Sequence, residues 1–140
     1  MNFKKLTIIT LVLGIVNVVF AQNTSNKYFR NLRYNHVSPY IKISGTHPIN
    51  ENTAKYTSHY VFTYNENNDL IGVTNNHYFT ERAHPLASIG AFKTKIHYLN
   101  GIETRIFLDK NEKRVTNDRG VYKEVYHKDK KGNYTKLSFF

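Results

Sequence analysis

Phe92-Lys93-Thr94-Lys95-Ile96-His97-Tyr98-Leu99-Asn100-Gly101-Ile102-Glu103-Thr104-Arg105-Ile106-Phe107-Leu108 is the stretch from which the fold follows. Before Asn100-Gly101, residues Phe92, Thr94, Ile96 and Tyr98 alternate with Lys93, Lys95 and His97. After it, Ile102, Thr104, Ile106 and Leu108 alternate with Glu103, Arg105 and Phe107. A period of two is that of a strand, and Asn-Gly between two such runs marks a hairpin. The side chains then choose the register. A two-residue turn pairs Leu99 with Ile102 and sets Ile106 against Lys95, mixing apolar and charged groups on each face. A three-residue loop over 99–101, with Gly101 left-handed, pairs Tyr98 with Ile102, Ile96 with Thr104 and Phe92 with Leu108. The expectation is the bulged three-residue hairpin, with Lys93, Lys95, Glu103 and Arg105 facing water.

Outward from this hairpin the chain repeats itself. Gly90-Ala91-Phe92-Lys93 recurs thirty positions later as Gly120-Val121-Tyr122-Lys123, and Ile96 and Tyr126 keep that offset. Phe62-Thr63-Tyr64-Asn65-Glu66-Asn67-Asn68-Asp69-Leu70 reads like Tyr126-His127-Lys128-Asp129-Lys130-Lys131-Gly132-Asn133-Tyr134, an apolar run, a polar turn and a second apolar run. Thr46-His47-Pro48-Ile49 and Ala83-His84-Pro85-Leu86 lead into their following strands in the same way. Together these predict a tandem array with a period of about 30 residues. Strand-like runs at 59–64, 70–73, 121–127 and 134–139 flank the turns 66–69 and 129–132. A short helix is expected only over 26–38, near the start of the mature chain. The fold class is all-β, an antiparallel meander of tandem hairpins, with 22–53 as an N-terminal segment and first partial repeat and 54–140 as the repeats proper.

The charged, glycine-bearing tip Asp129-Lys130-Lys131-Gly132-Asn133-Tyr134, like Asn65-Glu66-Asn67-Asn68-Asp69-Leu70, resembles the hairpin tip of tyrosine-rich tandem repeats in exported bacterial proteins, of which the YD-repeat is the best known. The resemblance covers roughly 54–140. Tyr64 fills the tyrosine position, whereas the matching residue of the last unit is Lys128, and the spacing is longer than a simple YD unit. It implies a β-repeat scaffold in the envelope or on a cell surface, and no catalytic residues.

Residues 1–21 read as a cleavable secretory signal: Lys4 and Lys5, an apolar run over 6–20, and Val19-Phe20-Ala21 before polar Gln22. The apolar run falls short of the ~20 residues that a membrane helix needs. The expected product begins near Gln22, carries no transmembrane segment after cleavage, and is exported to the periplasm, the medium or the cell surface. With no cysteine in the chain, a lipid anchor at the cleavage site and disulfide support are both excluded, so packing and strand pairing must hold the domain.

The chain has 20 Lys and Arg against 10 Asp and Glu. Six basic and four acidic residues fall in 22–90, and twelve and six in 91–140, so the positive charge lies toward the C-terminal end. Such a field attracts anionic surfaces and polymers in a salt-sensitive way. Lys93, Lys95, Lys123, Lys128, Lys130 and Lys131, interleaved with Tyr98, Tyr122, Tyr126 and Tyr134, form the candidate anionic-ligand face. The competing reading is that these lysines solubilise strand faces and guard edges. Binding by that face predicts salt dependence and loss on charge reversal of Lys128, Lys130 and Lys131.

Signals for chemistry are sparse. His36, His47, His59, His77, His84, His97 and His127 show no metal-site spacing, and there is no nucleophile elbow, phosphate loop or dinucleotide fingerprint. No catalytic, metal or cofactor residue is assigned and no cofactor is expected. The reading is a non-enzymatic binding or structural module of the envelope, its partner a protein or an anionic polymer, with polysaccharide preferred over nucleic acid. A small hydrolase is the alternative, and would require a concave pocket with clustered, perturbed acids or histidines. The chain stops at Phe139-Phe140; folding back of both rings onto the sheet is favoured over an exposed edge that would self-associate.

Overall fold

The computed structural model describes residues 23–33, 40, 42–76 and 89–140. The signal at 1–21, the Ala83-His84-Pro85-Leu86 connector, and His36, His77 and His84 lie outside the described residues. The described chain forms one antiparallel eight-stranded sheet of order β2-β1-β3-β4-β5-β6-β7-β8. Its strands are β1 (Ser25–Arg33), β2 (Ser44–Ile49), β3 (Tyr60–Tyr64), β4 (Leu70–Asn75), β5 (Lys93–Leu99), β6 (Ile102–Leu108), β7 (Lys123–Lys128) and β8 (Tyr134–Phe139). A four-residue helix, α1 (Glu51–Ala54), follows β2. The 26–33 part of the segment read as a helix is instead within strand β1. There Tyr28 and Phe29 pair with β2 on one side and β3 on the other, which satisfies the backbone on both edges. Helix α1 begins at Asn50, whose side chain accepts from the Thr53 N–H at 2.8 Å, an N-cap.

The β5–β6 hairpin corrects the expected register. Leu99 pairs with Ile102, Ile96 with Arg105 and Lys95 with Ile106, so Asn100-Gly101 is a two-residue turn. Both turn residues have positive φ, 50° and 75°, as the turn that matches strand twist requires. The premise that charged side chains must face water is what failed. Glu103 and Arg105 are buried at 3% and 2% exposure, on the face that carries Ile96 and Phe107.

The repeat pattern has a backbone counterpart. Gly90 and Gly120 both have positive φ, 80° and 76°, and β5 and β7 begin with the same burial alternation. Phe62 and Tyr126 are both fully buried, and each is followed by an irregularity one residue later, at Thr63/Tyr64 and at His127/Lys128. Among the described residues one loop geometry occurs four times, at 65–69, 109–113, 117–121 and 129–133. In each the first N–H donates to the fifth carbonyl and the fourth N–H to the first carbonyl. The opening Asn or Asp accepts main-chain N–H groups through its side chain. The fourth residue, Asn68, Glu112, Gly120 or Gly132, takes a left-handed φ of 61° to 81°. Asx chemistry therefore sets the joints of the meander.

The core lies on one face and consists of Leu32, Tyr60, Phe62, Val73, Ile89, Ala91 and Phe107. Val115 and Val121, from the connector between β6 and β7, pack against it. Two departures from regular pairing matter below. Strands β4 and β5 pair at Gly72, Val73 and Thr74 with Lys95, Thr94 and Lys93, and the Asn75 N–H donates to the Phe92 carbonyl at 2.7 Å just beyond. At the end of the sheet, Phe140 continues the pairing with Lys123 through its backbone, but the side chains of Phe139 and Phe140 are 48% and 59% exposed. The favoured burial of those two rings is not what the structure shows, because their strand is already engaged in pairing with β7.

Candidate functional site: a buried ion and tyrosine network beside a cavity

Strand alternation places Tyr98 of β5, Glu103 and Arg105 of β6, and Glu124 and Tyr126 of β7 on one face. Arg105 is the centre. Its Nε and Nη2 both reach Glu103 Oε1, at 2.7 and 2.6 Å. Its Nη1 donates to Tyr126 Oη at 3.0 Å and its Nη2 to Tyr134 Oη at 3.2 Å, and the guanidinium lies 4.1 Å from the centroid of the Tyr126 ring. The two phenols donate onward, Tyr126 to Glu124 Oε2 at 2.7 Å and Tyr134 to Glu103 Oε2 at 2.8 Å. Glu124 Oε1 accepts from Asn117 and Arg119 at 2.8 and 2.9 Å. Lys128 closes the network on Glu103 Oε2 at 2.7 Å, its ammonium 4.8 and 5.1 Å from the Tyr98 and Tyr134 ring centroids.

These contacts order the protonation states. Burial alone raises the Glu103 carboxyl, but Arg105 and the hydrogen bonds from Lys128, Tyr134 and Arg105 outweigh it and hold it below its ordinary value. Burial penalises the Arg105 cation, and Glu103 and the neighbouring phenols more than restore it, leaving its pKa raised. Burial pushes the Tyr134 phenol up to about 12 and raises that of Tyr98 further, the latter with help from Glu103. Glu103 is thus held ionised against the Arg105 cation, with Tyr98 and Tyr134 as neutral phenols beside them.

Above Glu103 and Arg105 lies a cavity of about 420 Å³, within the size range of small-molecule sites. Ile96, Tyr98, Lys128 and Tyr134 line it from β5, β7 and β8; Tyr64, Asn68, Asp69 and Leu70 from the β3–β4 hairpin; Lys42 and Ile43 from ahead of β2. Residues from both ends of the strand order meet there, so this face of the sheet is concave. The Tyr98 hydroxyl donates to the Leu70 carbonyl at 3.0 Å, bridging β5 to β4 where their ladder has already stopped.

The six lysines singled out from the sequence are divided between places. Lys93 and Lys95 share Glu112, each at 2.6 Å, on the face opposite Glu103; those two contacts draw the Glu112 carboxyl down to about 2. Lys123 lies 3.9 Å from the centroid of the Phe140 ring. Lys130 and Lys131 are exposed in the 129–133 loop, and Lys128 alone enters the cavity. Of the four tyrosines, Tyr98, Tyr126 and Tyr134 join the network, whereas Tyr122 is 53% exposed.

Sequence reasoning missed Glu103 and Arg105 as interior residues, although a signal was present. Asn-Gly is the strongest short hairpin marker, and taking its two-residue register puts both charges in line with Ile96 and Tyr98. Among the described residues no group of three or more His, Asp or Glu is placed to hold a metal ion, and no helix is long and apolar enough to cross a membrane. Compared with protein-family models, curated proteins and solved structures, the chain gives no match.

Proposed function

We propose that the chain is an exported, non-enzymatic binding module of the bacterial envelope, a scaffold of YD-repeat-like hairpins that engages its ligand in the concave cavity. The observation that carries this reading is the network itself. Two buried carboxylates and a buried guanidinium are weak contributors to stability compared with apolar packing of the same volume. Here they organise the wall of a ligand-sized cavity, where fixed polar groups confer specificity. The pattern favours binding over hydrolysis. A general acid must retain a proton near neutrality, whereas Glu103 is held ionised and both its oxygens already accept two donors.

A second reading places an anionic polymer on the opposite face, where Lys95, Ile106 and Lys123 form a cross-strand row. Glu112 offsets much of that charge by engaging both Lys93 and Lys95, which favours the cavity. Binding of the purified chain to an array of envelope polysaccharides, anionic polymers and DNA, at low and moderate salt, separates the two. The cavity reading expects a polysaccharide ligand retained by Lys95→Glu/Lys123→Glu and lost in Tyr98→Ala. A ligand lost in the lysine variant, kept in Tyr98→Ala and released steeply by salt assigns the function to the basic surface instead.

A further inference from the structure

Within the binding role proposed above, we infer that the cavity takes an acidic sugar, its carboxylate meeting the Lys128 ammonium and its ring lying among Tyr64, Tyr98 and Tyr134. Three features of the cavity select this chemistry. The first is charge. The cavity lining carries Lys42, Arg105 and Lys128 against Asp69 and Glu103, three cations to two carboxylates. Glu103 is already engaged on both oxygens, and the surplus is positive. Buried or half-buried charge is stable when matched, and one added carboxylate matches it.

The second feature is the placing of Lys128. Glu103 is the only acceptor on its ammonium among the described residues, and the two phenol rings fix its position. Its side chain is 21% exposed, so it is the cation of the network that a ligand can reach; Arg105, at 2%, is sealed behind it. A lysine held this way is a preorganised donor, which saves the ordering cost that a free surface lysine would incur on binding.

The third feature is the remainder of the lining. Three aromatic rings and Leu70 offer apolar surface, while Asn68 and Asp69 offer a polar edge. A bare anion would leave the rings unused and would be repelled by Asp69. A pyranose carboxylate places C–H faces against the rings, hydroxyl donors toward Asp69 and its one negative charge toward Lys128. A polymer chain could present such a ring at its end or as a side branch, and a free sugar acid presents the same chemistry.

Amide chemical-shift mapping of the purified chain with D-glucuronate, D-glucose and acetate tests the inference. Glucuronate is expected to move the signals of Asp69, Tyr98 and Lys128 and to bind at least tenfold more tightly than either control. Lys128→Met should remove that tenfold preference and Lys128→Arg should keep most of it, with unchanged signal dispersion in both showing that the fold is intact. Equal binding of glucose, or acetate binding as tightly as glucuronate, overturns the acidic-sugar assignment while leaving the cavity as a binding site. If neither these probes nor any ligand from the polysaccharide array perturbs the cavity signals, the binding role falls with it. Short glucuronate oligomers binding more tightly than the monomer identify a polymer as the source, and equal affinity a free sugar acid.

Discussion

Glu103 is the residue on which the interior turns, because it separates two cations. Replacing it with Gln leaves Arg105 and Lys128 facing each other with one neutral amide between them, at 2% and 21% exposure. Breaking a buried ion pair from one side costs about 3–5 kcal/mol, and Glu103→Gln is expected to lose stability on that scale in urea unfolding near neutral pH. The pH dependence follows from the direction of the shift. Because the folded carboxyl lies below its ordinary 4.5, its contribution is complete above that value and disappears as pH falls through the depressed folded pKa. Protonated Glu103 is then nearly the same as Gln, so the wild type should converge on the variant in acid. A difference that persists unchanged below the folded pKa would show that shape rather than charge is at stake.

At the scale of elements, hairpin placement and loop chemistry were legible and register was not. Strand positions follow from alternation, and the matched tips at 65–69 and 129–133 were visible because Asn and Asp recur at the loop openings. Register was lost because polar-out, apolar-in is a rule about solvent, and β6 has no fully solvated face. Its Glu103 and Arg105 find partners on β7 and β8 that lie 20 or more positions away in sequence, and that separation is invisible to a single-hairpin argument. The cavity inherits the same obscurity, since its wall combines residues from both ends of the strand order. Among the joints, Gly132 and Gly90 share a left-handed φ but differ in their surroundings. A Cβ on Gly132 meets nothing within 4 Å, whereas one on Gly90 would lie 2.5 Å from the Asp118 backbone nitrogen. Gly132→Ala should therefore cost only the conformational strain, about 1–2 kcal/mol, and Gly90→Ala distinctly more, because the connectors before β5 and β7 must separate. Comparison of urea midpoints tests the order.

For the whole molecule, the sheet is continuous but not uniformly knitted. The short ladder between β4 and β5 divides it into β1–β4 and β5–β8, and toward the hairpin tips the Tyr98 hydroxyl spans the division. Local opening is cheapest where backbone pairing is sparse. Tyr98→Phe removes one hydrogen bond worth about 1 kcal/mol, so amide exchange at Val73, Asn75 and Thr94, whose N–H groups span the seam, should accelerate roughly fivefold, with exchange between β6 and β7 unchanged. Uniform acceleration would mean that the sheet opens only as a unit. The cavity straddles this seam, with Tyr64, Asn68 and Asp69 on one bank and Tyr98, Glu103 and Lys128 on the other. Whatever fills the cavity rivets the two halves, so occupancy becomes stiffness: the loaded protein would carry a pull along the sheet at the very row where the empty one gives way first.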